Sequence, residues 1–403
     1  MARSTVHTGA ATALVRPRRR PRAAVLLALL GVLTLGLAGC APEPTAAEPT
    51  ATPSQSAPAT AAPPAEPEPE PQLLLASLAH TDSLAVIDPA QPDGEAVRQI
   101  RVGAAPWGVG THTDPDGKTT AYAATAEGLA VVDPAAGELS ALLPYAHPAQ
   151  RIESGEYRPG GLGLAVAPDG SRVYVAVTPG DGSFVLEVFD TASQTVVGSV
   201  PVGARPFDVL VAPDGSWAAT VDHDSFTVTV VDAATLQPTT HQVAPFGTEG
   251  GLASWEKPHY GAVTSDGAIL LPYQGQTVVR LDPRTGEQTT IASAANSHAH
   301  GTALAGDRLL TVGTGAFGSA DGTPNLSILN VETGAEEVVP LALPHETVAP
   351  WRDAAGAEYA AVAGGNTRNE GWDGVTLVAL DGLATRELPV SGYPQAIVSY
   401  PAA

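Results

Sequence analysis

Histidine recurs at a corresponding position in three successive repeats of the chain. The segments are Pro258-His259-Tyr260, His298-Ala299-His300 and Pro344-His345-Glu346. If each segment opens a strand and the strands surround one axis, the imidazoles converge. Converging imidazoles bind divalent transition metals, and zinc takes four nitrogen, sulfur or oxygen ligands. The pattern therefore predicts a site for Zn²⁺ or a similar ion, with these ligands: His259, His345, His300 and His298.

Further polar and aromatic side chains fall at equivalent positions or in adjacent loops. His223, inside an Asp-His-Asp triplet, and Asp208 are the additional predicted metal ligands. A ligand-binding surface is predicted from Trp107, Phe207, Tyr260, Glu346, Gln395 and Trp372. Three interpretations stay open: a metal site, a metal-free ligand pocket, and histidines that only hydrogen-bond backbone groups or water.

A triplet of mostly apolar residues ending in Asp or Asn marks each repeat. The triplets end at Asp88, Asp133, Asp190, Asp232, Asp282, Asn330 and Asp381, at intervals of 42 to 57 residues. Intervals of this size, with several short strands in each, are typical of propeller blades. The Asp and Asn side chains are predicted to accept backbone N–H groups of the following turn, and not to act as catalytic acids.

The two ends of the chain predict how the ring closes. The segment from Leu73 enters as the second strand of a blade, and Tyr393–Tyr400 reads as an innermost strand with nothing after it. Joining them completes one blade and removes the open sheet edges. The sequence thus predicts an all-β, seven-bladed β-propeller over residues 73–403, closed by the C-terminal strand.

The repeat also resembles a known family. A Gly-x-x-Pro opening, a Pro-Asp-Gly turn, Tyr-Val and a final Val-x-Val-x-Asp are similar to the YVTN-type propeller repeat. Tyr174-Val175 after Pro168-Asp169-Gly170 is the closest copy. This resemblance implies the seven-bladed fold. It implies little about function, because the family includes surface-layer proteins, binding proteins and enzymes.

A shorter resemblance concerns metal handling. Pro258-His259-Tyr260-Gly261 and His300-Gly301-Thr302-Ala303 look like the His-Gly elements of AztD-type zinc metallochaperones. Those are exported propellers that hand zinc to the binding protein of a transporter. The resemblance implies zinc-binding roles for His259 and His300 only.

The N-terminal part is predicted to contain an export signal and a disordered linker. An arginine-rich start is followed by the apolar stretch 23–39 and then Cys40, the sole cysteine. This order indicates a secretory signal peptide over residues 1–39. Leu37-Ala38-Gly39-Cys40 resembles the bacterial lipobox, which implies acylation of Cys40 and anchoring to the cell membrane. Residues 40–72, rich in Pro, Ala, Glu and Thr, are predicted to be a disordered stalk.

The composition argues against nucleic-acid binding and an internal disulfide, and three functions remain as hypotheses. A net charge of -22 argues against nucleic-acid binding, and a single cysteine excludes an internal disulfide. We expect a monomer that binds a metal and meets a metal-transport or cell-envelope protein. The alternatives are a lactonase- or lyase-type propeller enzyme, with His345 or Glu346 as base, and an interaction scaffold. Loops 314–324 and 364–374 could contact a ligand.

Overall fold

The computed structural model describes residues 71–243, 258–273, 277–295, 301–315, 322–364 and 373–402. Within these ranges 28 β-strands form seven four-stranded antiparallel sheets, and no α-helix is present. The same ranges contain no helix of the length and apolarity that a membrane span requires. Cys40, His298, His300 and Trp372 lie outside the described residues.

Each sheet is one blade, whose strands run in order from the innermost to the outermost. Blade 1 contains β28 (Pro394–Pro401), β1 (Gln72–Leu78), β2 (Ser83–Ile87) and β3 (Val97–Arg101). Blade 2 contains β4 (Val109–Thr113), β5 (Thr119–Ala124), β6 (Gly128–Asp133) and β7 (Glu138–Pro144). Blade 3 contains β8 (Gly160–Val166), β9 (Arg172–Thr178), β10 (Val185–Asp190) and β11 (Thr195–Pro201). Blade 4 contains β12 (Pro206–Val211), β13 (Trp217–Asp222), β14 (Thr227–Asp232) and β15 (Pro238–Gln242).

The remaining blades follow the same order. Blade 5 contains β16 (Ala262–Val263), β17 (Ile269–Tyr273), β18 (Thr277–Leu281) and β19 (Gln288–Ala292). Blade 6 contains β20 (Thr302–Ala305), β21 (Arg308–Gly313), β22 (Asn325–Asn330) and β23 (Glu336–Pro340). Blade 7 contains β24 (Thr347–Arg352), β25 (Glu358–Ala363), β26 (Val375–Ala379) and β27 (Thr385–Leu388).

The predicted fold class and ring closure are both confirmed. β28 pairs with β1 in an antiparallel register that places Leu74 opposite Ser399. The last strand of the chain is therefore the innermost strand of blade 1. The innermost strands of successive blades contact one another around the ring, including β24 with β28 and β28 with β4.

Apolar side chains between blades hold the ring together. In the described part of the chain, seven large apolar clusters each join two neighbouring blades. Leu210 and Trp217 of blade 4, for example, share a cluster with Ile269 of blade 5. Because both faces of each sheet meet a neighbour, the middle strands read as nearly continuous apolar runs.

The predicted turn role appears for six of the seven triplet residues, all except Asp381. Backbone N–H groups of the following turn donate to the side chains of Asp88, Asp133, Asp190, Asp232, Asp282 and Asn330. Short oxygen side chains of this kind stabilise tight turns. These residues shape the end of the blades away from the site described below.

Two glycines show how closely the innermost strands approach. A Cβ on Gly108 would lie 2.4 Å from the Leu162 carbonyl oxygen, and one on Gly301 would lie 2.3 Å from Thr347 Cα. Only glycine fits such contacts between neighbouring backbones. The innermost strands surround a central channel with a volume of about 380 Å³.

Candidate functional site

Two histidines and a phenylalanine meet at the end of the channel where β12 begins. His223 lies in the β13–β14 turn of blade 4, and His259 precedes β16 of blade 5. Their ring centroids are 4.0 Å apart. The Phe207 ring lies 5.1 Å from His223 and 5.4 Å from His259. Both histidines are almost fully buried. We call His223 and His259 the histidine pair.

Asp224 orients the His223 ring. His223 Nδ1 lies 2.6 Å from Asp224 Oδ1, and Arg205 Nε donates to Asp224 Oδ2 at 3.0 Å. Burial alone would raise the pKa of Asp224, but the hydrogen bond from His223 and the positive charges around it hold that pKa below its usual value. An ionised Asp224 accepts the proton on His223 Nδ1 and so fixes the orientation of the imidazole ring.

A carboxylate reaches the histidine pair from a different part of the chain. Glu156 belongs to the long connection between β7 and β8, and its Oε1 lies 3.7 Å from His259 Nε2. The next residue, Tyr157, packs edge-on against Phe207, with the ring centroids 5.7 Å apart. The Arg205 guanidinium lies over the Tyr157 ring, 4.5 Å from its centroid. Blades 4 and 5 and this connection thus form one polar cluster.

Buried charges fix that connection in place. The Glu187 carboxylate, which is fully buried, accepts the backbone N–H groups of Ala146 at 3.0 Å and His147 at 2.8 Å. At the other end of the connection, the buried Arg158 guanidinium donates to the carbonyls of Pro159 and Gly161. Since both ends are held by charge-assisted hydrogen bonds, Glu156 has a defined location beside His259.

The spacing of Glu156 and His259 bears on what the cluster can hold. A separation of 3.7 Å is too long for a hydrogen bond. Two ligands that share one tetrahedral zinc ion lie about 3.4 Å apart, since each is about 2.1 Å from the metal. Within the described ranges, no group of three or more His, Cys, Asp or Glu side chains is already arranged to hold a metal. The described residues by themselves therefore do not complete a metal site.

Asp208 and Tyr260 line the channel next to this cluster. The Asp208 carboxylate accepts the Val209 N–H at 2.9 Å and the Gly261 N–H at 3.0 Å. Burial nevertheless raises the pKa of Asp208 to about 7. Burial also raises the pKa of the Tyr260 hydroxyl, and the charges of Glu156, Asp208 and Glu346 act in the same direction.

The other described candidate residues lie in blade 7 and along the channel. His345 Nε2 lies 2.9 Å from the Thr376 hydroxyl, and its Nδ1 lies 3.4 Å from the Gly364 carbonyl. Burial lowers the pKa of His345 to about 4, so the ring is neutral. Both of its nitrogens are engaged within blade 7. Trp107 and Gln395 line the channel, as does Phe207, whose fully buried ring belongs to the cluster with the histidine pair.

Comparisons with known proteins support the fold and give no family. No family model matches the chain, and no curated protein matches it. Among solved structures, Kuenenia stuttgartiensis hydrazine synthase is similar with a TM-score of 0.52 and 16% identity, over 72% of this chain and 91% of that one. A functionally unknown protein from Desulfotomaculum acetoxidans DSM 771 gives a TM-score of 0.59 at 10% identity, over 82% and 99% of the two chains. These likenesses concern the fold alone.

Glu156 and Arg205 were missed as site residues by sequence reasoning. One signal for Glu156 was present. The interval from Asp133 to Asp190 is 57 residues, the longest between successive triplets. The extra residues lie in the connection that precedes an innermost strand, at the end of the channel where the site forms. The contact of Arg205 with Asp224 has no comparable sequence pattern.

Proposed function

We propose that this protein is an exported, lipid-anchored propeller of the YVTN type that captures a divalent transition-metal ion at the channel end and relays it to a partner. The ion, with Zn²⁺ as the first choice, is cargo and takes no part in a reaction. The observation that carries the proposal is the Asp224-oriented His223 beside His259, with the Glu156 carboxylate 3.7 Å from His259 Nε2.

The ligand chemistry supports this function. A carboxylate that accepts the N–H of a metal-binding histidine fixes its tautomer and raises its basicity, and Asp224 stands in that relation to His223. The histidine pair would supply two nitrogen ligands, and Glu156 a carboxylate, which lies 3.7 Å from His259 Nε2. His298 and His300 remain predicted ligands from the neighbouring repeat.

The test is metal binding by the purified full chain. We expect about one Zn²⁺ per chain in equilibrium dialysis with elemental analysis. Cobalt substitution should give the visible absorption of four-coordinate Co²⁺ with nitrogen and oxygen ligands. His223→Ala should abolish binding, and Asp224→Asn should weaken it by about 10- to 100-fold, as loss of a supporting hydrogen bond does.

Two further variants separate a metal ligand from a structural effect. Glu156→Gln is isosteric and removes the carboxylate, so zinc affinity should fall while the far-ultraviolet circular dichroism stays unchanged. His80→Ala is the matched control, because His80 is an exposed histidine that stacks on Tyr393 at 4.7 Å. Zinc binding that survives in His223→Ala, or is absent in the wild type, would overturn the proposal.

A further inference from the structure

We propose that the central channel, beside the histidine pair, binds a small organic ammonium ion whose charge is held by Asp208 and whose apolar body fills the channel. This goes beyond metal capture and depends on different residues. The ligand class is a primary or substituted amine with a short aliphatic or aromatic group.

The channel has the size and walls of a ligand site. Its volume of about 380 Å³ falls within the range of small-molecule pockets, about 300–1,000 Å³. Leu164, Leu210 and Val348 supply aliphatic surface, and Trp107 and Tyr260 supply aromatic surface. Walls of this kind favour an apolar group, and aromatic rings also attract an ammonium ion.

The charge of the channel lining determines whether a cation or an anion would bind there. Asp208 is the acidic residue among the described residues that line the channel, and that lining contains no Lys, Arg or His. The charges of Glu156 and Glu346 also act on the Tyr260 hydroxyl, together with that of Asp208. The charged side chain of the described lining is thus an anion, which favours a cation over a carboxylate or a phosphate as the ligand.

The hydrogen bonds of Asp208 leave it able to receive a cation. Each of its oxygens accepts one backbone N–H, from Val209 or Gly261. A carboxylate accepts about four hydrogen bonds, so each oxygen retains capacity for a ligand. Burial makes the ionised form costly, and an ammonium ion at this position would offset that cost.

A bare metal ion fits this lining less well. Calcium takes six to eight oxygen ligands, and magnesium about six. The described lining offers one carboxylate, and its other polar side chains, which include Thr302, Thr347 and Gln395, are neutral. One ionic contact beside aliphatic and aromatic surface matches an organic ammonium ion better than a bare metal ion.

The experiment compares three ligands of similar shape and different charge on the full chain. Isothermal titration calorimetry would be run with n-butylammonium, n-butanol and butyrate at a pH of about 8, above the pKa of Asp208, which is about 7. We expect n-butylammonium to bind at least about tenfold more tightly than n-butanol, a ratio that corresponds to 1.4 kcal/mol. Butyrate should not bind. Equal binding of the ammonium ion and the alcohol would overturn the proposal.

Variants locate the effect and separate it from metal capture. Asp208→Asn should remove the preference for the ammonium ion over the alcohol. Asp214→Asn, in the exposed β12–β13 turn of the same blade, should leave it unchanged. His223→Ala should abolish zinc binding and leave ammonium binding intact, so failure of one proposal is distinguishable from failure of the other. Retained preference in Asp208→Asn would refute the assignment.

The wild-type titrations cover the case in which Asp208→Asn fails to fold. They compare n-butylammonium, n-butanol and butyrate in the unaltered channel, and equal binding of the ammonium ion and the alcohol overturns the proposal without any variant.

Discussion

Replacing Asp208 with asparagine should change how the stability of the propeller depends on pH. Burial raises the pKa of Asp208 from the ordinary 3.8 to about 7 in the folded protein. Between these values the folded state holds a proton that the unfolded state releases. The resulting stabilisation is fully present below the ordinary pKa and is lost as the pH rises through about 7.

The structure sets the size of the effect. Each pKa unit corresponds to about 1.36 kcal/mol, so the full change amounts to about 4 kcal/mol. Asp208 faces the channel and is partly accessible to water, which screens the charge and reduces the effect to roughly 2–4 kcal/mol. Asparagine also loses one of the two acceptors that Val209 and Gly261 use, at a cost of about 1–3 kcal/mol that does not vary with pH.

The assay is urea unfolding of the full chain, followed by tryptophan fluorescence and extrapolated linearly to water. The free energy of unfolding of the wild type minus that of Asp208→Asn should fall by roughly 2–4 kcal/mol between pH values of about 4 and 8. Asp214→Asn is a control for which the pH dependence of stability should have the opposite sign. Hydrogen bonds from Ser216 lower the pKa of Asp214, so the contribution of Asp214 is lost as the pH falls. A difference for Asp208 that stays constant within about 0.5 kcal/mol would refute the reasoning.

Three further outcomes are expected. Gly108→Ala should destabilise the protein by about 1–3 kcal/mol in the same urea assay, because its Cβ would overlap the Leu162 carbonyl, whereas Gly94→Ala, which meets nothing within 4 Å, should be neutral. Glu187→Gln should lower the free energy of unfolding by about 1.5–3 kcal/mol and weaken zinc binding, because it loosens the connection that carries Glu156. Unchanged zinc affinity would show that the hydrogen bonds of Glu187 do not position Glu156. Cys40→Ser should release the protein from the cell membrane, and radiolabelled palmitate should enter the wild type alone; labelling of the variant would contradict acylation at this position.

The architecture was predictable because its signals are local and repeated. Turn residues recur at nearly regular intervals, and the segments beginning at Leu73 and ending at Tyr400 read as parts of one blade. The site was predictable only in part. His259 and His223 come together as neighbours on adjacent blades, but His345, chosen for the same position in its repeat, directs its ring to Thr376. Side-chain direction at a strand start depends on local register, and the path of a long connection such as the one bearing Glu156 depends on contacts distant in sequence.

Closure by β28 has a consequence for the timing of assembly. β1 pairs with a strand that lies more than 300 residues later in the chain. Until that strand is in place, the edge of β1 that faces away from β2 has no strand to pair with and is open to wrong partners.

The strand that arrives last also lines the channel, through Gln395 and its neighbours. A ligand that rests against β28 binds only the closed ring, and so it lowers the free energy of the completed molecule relative to every open one. A ligand of the channel would then stabilise the closed ring.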